Sequence, residues 1–262
     1  MTYNTILLAR DNGLATLTLN APEKLNAVSR KMIAEIKECW AELAADTSVR
    51  AVLLTGAGRG FCAGADLADP DREASATADS GAALETFFNP VIRAMRAIPK
   101  PVVSAVNGVA AGVGMSFALA SDIAIAGKSA SFLQAFARIG LLPDGGSTWF
   151  LPRLVGDQRA RALAMLAPQI TAQQAKDWGL IWDVVEDAEL MSTATGIARK
   201  LADGPTLALG RIKEALNRSS GNDLSAQLDV ERDFQRELGR SEDFKEGVAA
   251  FLGKRKAGFR GK

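Results

Sequence analysis

Gly56-Ala57-Gly58-Arg59-Gly60-Phe61-Cys62-Ala63-Gly64-Ala65-Asp66-Leu67 follows directly on the apolar run Ala51–Thr55. A second stretch, Asn107-Gly108-Val109-Ala110-Ala111-Gly112-Val113-Gly114, follows the apolar run Val102–Val106 in the same way. A short apolar run closed by a glycine-rich turn reads as a buried strand, and two such units with helical patterns between them point to an α/β chain. Neither turn is a phosphate cradle. No G-x-x-x-x-G-K-[ST] run exists, and G-x-G-x-x-G starting at Gly56 fails at Phe61, as does the stretch from Gly108 to Gly114. Glycine does permit close backbone approach and unusual dihedrals. The N–H groups of Ala63–Leu67 and of Asn107–Gly114 can therefore converge on one anionic oxygen, the second set with help from a helix N-terminus. Tight turns and close helix packing explain the same glycines equally well, and both readings stand at this point.

Outward from these turns the pattern is regular. Ile6–Ala9 and Leu14–Asn20 read as strands joined by Asp11-Asn12-Gly13, a strong hairpin signal. Ser29 caps a helix carrying Met32, Ile33, Ile36, Trp40 and Leu43 on one face. Residues 68–83, rich in Ala, Ser and Asp without apolar period, read as an irregular loop that is a candidate lid, and Leu84 to Met95 as an amphipathic helix. Ala110–Ala120 reads as a small-residue helix, with strands at Asp122–Ala126, Ser131–Gln134 and Leu180–Val185. Thr171-Ala172-Gln173-Gln174 is a capping box for a helix ending near Gly179. Helices are expected over 187–202, 206–217, 223–238 and 241–253. The chain divides into an α/β core over residues 1–190 and a helical C-terminal extension over 191–262.

The chain has 262 residues, 48% of them apolar, enough for a substantial core. Thirty-one basic against 30 acidic residues give a net charge of +1, which offers no electrostatic case for nucleic acid or an acidic membrane. No apolar run approaches the ~20 residues needed to span a bilayer. The N-terminus has no signal-peptide pattern, and two cysteines, Cys39 and Cys62, suit a reducing cytoplasm. Histidine is absent. Ser-His-Asp and Cys-His catalysis and histidine metal sites are thereby excluded, and proton transfer falls to Asp, Glu, Lys, Cys or the single tyrosine, Tyr3. Cys62, beside Phe61 and without histidine, reads as a packing residue.

Several segments in register resemble the enoyl-CoA hydratase/isomerase (crotonase) family: Leu25-Asn26-Ala27, Gly60–Leu67, Lys100-Pro101-Val102 through Ala110, Asp122-Ile123, and Gly140-Leu141-Leu142-Pro143-Asp144-Gly145-Gly146. The likeness runs to Phe251-Leu252-Gly253-Lys254-Arg255, essentially the whole chain. It implies a crotonase-like spiral of β-β-α turns and a coenzyme A thioester as substrate, with no separate cofactor and no metal. It also implies an oxyanion hole from the N–H groups of Ala65 and Val113, the latter often glycine in the family. Lys24, Leu25, Ala27, Ala63, Asp66 and Leu67 would cradle the CoA. Phe251 and Lys254 would reach CoA in a neighbouring subunit of a homotrimer or hexamer.

Family hydratases use two glutamates. The first would sit three residues after the second amide, where this chain has Ser116, and the second seven residues before the loop proline, where it has Phe136. Neither is a carboxylate, so hydration is disfavoured. Asp144 remains, at the place where an aspartate shuttles the proton in family isomerases. A turn or N-cap role before a helix starting near Ser147 is the plainer alternative. An aspartate with a reference pKa of ~3.9 is a feeble base in water, so the catalytic role calls for apolar neighbours, with Phe136 and Leu142 as candidates. Gly140–Arg153, and more weakly Phe87-Phe88-Asn89-Pro90 and Glu231-Arg232-Asp233-Phe234, resemble the branch of the family that isomerises 1,2-epoxyphenylacetyl-CoA to oxepin-CoA, a chemistry close to 3-enoyl-CoA to 2-enoyl-CoA isomerisation. Phe136 with Phe87 or Phe88 would suit such a ring, or are core. Dehalogenase, naphthoate synthase and hydrolase chemistries of the family need a histidine, a placed tyrosine or the missing glutamates. A hydratase, or a CoA- or RNA-binding relative without catalysis, is the alternative. The basic tail Lys254, Arg255, Lys256, Arg260 and Lys262 is expected to be solvated or to touch CoA phosphates.

Overall fold

The computed structural model describes residues 3–73 and 79–262. Six strands form the larger sheet: β1 (Ile6–Asp11), β2 (Leu14–Leu19), β3 (Ala51–Gly56), β5 (Val102–Val106), β7 (Ile123–Gly127) and β10 (Asp183–Val185), hydrogen-bonded in that order. Only the hairpin β1–β2 is antiparallel. The smaller sheet runs β4 (Gly60–Cys62), β6 (Val109–Ala111), β8 (Ser131–Leu133) and β9 (Gln169–Thr171). Strands β3, β5 and β7 of the first sheet are each followed by a short strand of the second, β4, β6 and β8. The chain then passes through helical segments before returning to the larger sheet. This is the expected spiral of β-β-α turns.

Strands β3 and β5 are buried along their whole length, so they read as continuous apolar runs. One face packs on the Arg30–Ala45 helix through Met32, Ile33, Ile36, Cys39, Trp40 and Leu43. Ser29 caps this helix by accepting from the Met32 N–H (3.1 Å). At its other end the buried Lys100 ammonium donates to the carbonyls of Leu43 (2.6 Å), Ala44 (3.3 Å) and Asp46 (2.6 Å), satisfying orphan acceptors at the negative end of the helix. The other face is covered by the Leu190–Ala202 helix. Its i, i+4 stripe of Leu190, Ala194, Ala198 and Ala202 packs on Leu14, Leu53, Val103, Ala105 and Ile125. The following helix, Thr206–Ser219, is pinned to the core by Lys213, which donates to Asp122 (2.9 Å) and to the Met95 carbonyl (2.8 Å).

Two local expectations are corrected. The helix expected over Ala110–Ala120 starts at Val113, because Val109–Ala111 is strand β6 and Gly112 breaks the chain direction at φ +51°. Within 68–83, Pro70–Glu73 and Ser80–Ala83 are helical, and the latter runs on into Leu84–Phe88 and Asn89–Ala97. Asp79 caps this run by accepting from the Gly81 N–H (2.8 Å). Residues 74–78 of that expected loop lie outside the described residues. The basic residues of the C-terminal tail, Lys254, Arg255, Lys256, Arg260 and Lys262, are exposed, as the solvated reading has it, while the backbone of the tail is tied down. Asp243 accepts from the N–H groups of Arg260 (2.6 Å) and Gly261 (2.8 Å), Arg50 donates to the Phe259 carbonyl (3.1 Å), and Arg255 pairs with Glu246 (2.6 Å). These bonds fold the tail back along the Glu242–Leu252 helix.

Candidate active site

The segment Lys24–Val28 zips onto Ala63–Asp66. Ala63 N–H donates to Leu25 O (2.9 Å), Val28 N–H to Gly64 O (2.7 Å) and Asp66 N–H to Val28 O (2.9 Å). This is one parallel bridge, Val28 with Ala65, and strand alternation turns the N–H of Ala65 to the opposite side. Lys24 closes the edge, its ammonium 2.8 Å from the Asp66 carboxylate, which it holds below the usual carboxylate range. Lys24, Leu25, Ala27, Ala63 and Asp66 are thus brought together, with Leu67 beside them and 53% exposed.

The second amide comes from the turn between β6 and the Val113–Ala120 helix. Gly112 N–H donates to Leu133 O (2.9 Å), and Val113 begins the helix, so its N–H has no partner one turn back. Among the described residues neither the Ala65 N–H nor the Val113 N–H has a hydrogen-bond acceptor. Each follows a glycine of positive φ, Gly64 at +104° and Gly112 at +51°. A Cβ placed on Gly112 would lie 3.8 Å from Gly64 Cα, and one on Gly64 would lie 3.1 Å from the Ala111 carbonyl. The two turns lie so close that a methyl on either would touch the other, and the positive φ of each favours glycine.

Asp144 lies in the turn before the Ser147–Val155 helix, half-buried between buried Pro143 and Gly145. The N-cap of that helix is Gly146, not Asp144. The Asp144 carbonyl accepts from the Ser147 N–H and from the Ser116 hydroxyl, each at 3.0 Å. Ser116, wholly buried one turn into the Val113–Ala120 helix, therefore joins the Asp144 loop to the helix that presents the second amide. Phe136, 8% exposed, puts its ring against Gly112, with 3.7 Å between Cζ and a Cβ placed there, and so walls the second turn. Leu142 is 72% exposed.

An apolar cavity of about 490 Å³ opens beside Gly146, lined chiefly by Ile92, Arg96, Ala97, Trp149 and Phe150. Phe87 and Phe88 do not line it. They pack against the main core, with the Arg30 guanidinium 4.3 Å above the Phe87 ring. Cys62 is fully buried, and burial pushes its thiol up to about 12, which excludes a thiolate nucleophile. Phe251, 83% exposed, and Lys254 lie at the end of the Glu242–Leu252 helix, and among the described residues neither hydrogen-bonds to the Ala65 or Val113 turns.

The chain from residue 9 to 262 matches the model of the enoyl-CoA hydratase/isomerase family. It belongs to that family. Among curated relatives it is 51% identical over 258 residues, covering 98% of both chains, to the 1,2-epoxyphenylacetyl-CoA isomerase of Escherichia coli (strain K12). It is 44% identical over 266 residues, the full length of both chains, to a Rhodobacter capsulatus protein named "Probable enoyl-CoA hydratase". Among solved structures, the enoyl-CoA hydratase from Bacillus anthracis superposes with a TM-score of 0.92 at 30% identity, covering 99% of this chain and all of that one.

Three side chains here carry weight that sequence reasoning missed. Asn26, fully buried, donates to the carbonyls of Ala57 (2.9 Å) and Gly60 (2.8 Å) and accepts from the Ala21 N–H (2.9 Å). Asn107 ties the same turn through Gly58 O (2.9 Å) and the Gly56 N–H (3.2 Å). Asparagine inside an apolar, glycine-rich stretch is the signal that was available for both. Ser116 drew notice only as a missing carboxylate, and nothing in its neighbours along the chain points to Asp144.

Proposed function

We propose that the protein is an acyl-CoA isomerase that works with a single base, Asp144, and an oxyanion hole formed by the N–H groups of Ala65 and Val113. The observation that supports this is the close approach of the Gly64 and Gly112 turns, each leading into an amide without an acceptor among the described residues, with the Asp144 loop tied to the helix of the second. The amides would bind the thioester oxygen and stabilise the enolate formed when a proton leaves the α-carbon; one such donor is typically worth on the order of 10²–10³ in rate. The Asp144 carboxylate takes that proton, becomes the neutral acid, and returns it further along the conjugated system. The double bond moves and no water is added. Ser116 and Phe136, where family hydratases carry glutamates, leave no second carboxylate to activate water.

The likeness to the Escherichia coli isomerase favours 1,2-epoxyphenylacetyl-CoA, giving oxepin-CoA, with 3-enoyl-CoA as a related substrate. The apolar cavity beside Gly146, with Trp149 and Phe150 in its wall, is a fitting place for a ring-bearing acyl group. CoA enters as part of the substrate along the Lys24–Asp66 edge, and no further cofactor is invoked. The exposed Phe251 and Lys254 suit contact with a neighbouring subunit's CoA; light scattering should then give three or six times the 27.6 kDa chain mass, and a monomer would remove that role.

The first measurement is the product mass from 3-hexenoyl-CoA with wild type and Asp144→Asn side by side. An unchanged mass, a conjugated product and a kcat reduced by about 10²–10⁴ in the variant are expected. A product heavier by one water would instead establish the hydratase, the reading favoured by the name of the Rhodobacter capsulatus relative.

A further inference from the structure

The hydroxyl that replaces the hydratase glutamate is the centre of a buried chain. Gln134 Nε2 donates to Ser147 Oγ (2.9 Å), Ser147 and Ser116 share a hydrogen bond (2.8 Å), and Ser116 Oγ reaches the Asp144 carbonyl (3.0 Å). All three side chains are wholly buried. Each hydroxyl has one hydrogen. With the Gln134 amide hydrogen pointing at Ser147, the Ser147 hydrogen is available for Ser116, and the Ser116 hydrogen for the Asp144 carbonyl, the nearer of its two acceptors, the Gly112 carbonyl lying at 3.3 Å. Donors then line up in one direction toward the base loop, an arrangement in which each bond polarises the next. The Asp144 carbonyl, already taking the Ser147 N–H, has both lone pairs occupied.

Packing reinforces the tether. A Cβ placed on Gly145 would lie 2.7 Å from Ser116 Cβ and 3.5 Å from Val113 Cγ2, so the loop rests directly on the first turn of the oxyanion helix. The same helix thus presents the Val113 amide at its start and, three residues on, holds the residue bearing the base.

We propose that Ser116, backed by Ser147 and Gln134, is a positioning residue that sets the distance between the oxyanion donors and the Asp144 carboxylate. This rests on the assignment of Asp144 as the base. Displacement of a reacting group by about 1 Å can cost on the order of 10²-fold in rate. Ser116→Ala, Ser147→Ala and the double variant are to be compared with wild type and Asp144→Asn, using 3-hexenoyl-CoA below the unfolding temperature of every variant. Ser116→Ala should lower kcat by about 10–100-fold with KM held within about twofold, and should shift the acid limb of the kcat–pH profile, which a merely structural serine would not do. The double variant should lose scarcely more than Ser116→Ala, because both residues belong to one chain of bonds.

An unaltered kcat and acid limb in folded Ser116→Ala, with Asp144→Asn inactive, overturns the positioning role alone. Should Ser116→Ala not fold, Ser147→Ala breaks the same chain one bond further out and decides by the same readouts. Wild-type activity in Asp144→Asn removes the assignment of the base, and the positioning role falls with it.

Discussion

The turn bearing Ala65 and the turn bearing Asp144 are held in different ways. The first is stitched by backbone to backbone: Ala63 to Leu25, Val28 to Gly64 and Asp66 to Val28, with Asn26 and Asn107 filling the carbonyls of the preceding loop. The second is docked on its neighbouring helix by hydroxyl groups, through Ser116 and Ser147. Backbone bonds survive most changes of side chain, so the proposed oxyanion half can be shared across a family whose members differ in reaction. A loop held by side chains can change partners with one substitution. In this chain that loop carries Asp144, the proposed base.

The contrast can be tested at several strengths. Gly64→Ala should be the most damaging, because the new Cβ falls 3.1 Å from the Ala111 carbonyl at a backbone φ of +104°. The Ala65 amide must then move, and kcat should fall by about 10²–10³, the usual cost of one oxyanion donor. A rate within tenfold of wild type would mean that the Ala65 N–H is not such a donor.

Asn26→Ala comes next. It strips buried carbonyls of their donor and should destabilise the fold by about 3 kcal/mol in urea unfolding, whereas Ser147→Ala should act on rate more than on stability. Reversal of that order would break the contrast between a scaffold half and a tuned half.

The smallest effect concerns Asp66. The Lys24 ammonium lowers its pKa from 3.8, so the stability it contributes is present above that value and is lost as pH falls through the lower folded-state pKa. Lys24 is half-exposed, and Asp66→Asn should therefore cost less than about 1 kcal/mol at pH 7 while flattening the stability profile below pH 4. An unchanged acid profile would show that the pair contributes nothing to the first turn.

Much of the architecture was legible along the chain because it depends on local chemistry. The Asn12-Gly13 hairpin, the Ser29 cap, the Thr171 capping box and the apolar strands β3 and β5 each follow from a few neighbouring residues. The short strands β4, β6 and β9 were not, because three residues carry too little period to signal a strand. Val109–Ala111 was absorbed into a helix for that reason.

The site divides in the same manner. Sequence alone determined that no histidine takes part, that both hydratase carboxylates are absent, and that glycine stands immediately before each of the two candidate amides. Those are matters of inventory and spacing. Only the tertiary structure decided that Gly64 lies close to Gly112, that Phe136 walls the second turn, and that Ser116 bonds to a carbonyl 28 residues further on. A hydroxyl carries no record of its partner until the strands, the helices and the loops between them have closed around it, since its single hydrogen is committed by geometry and not by sequence.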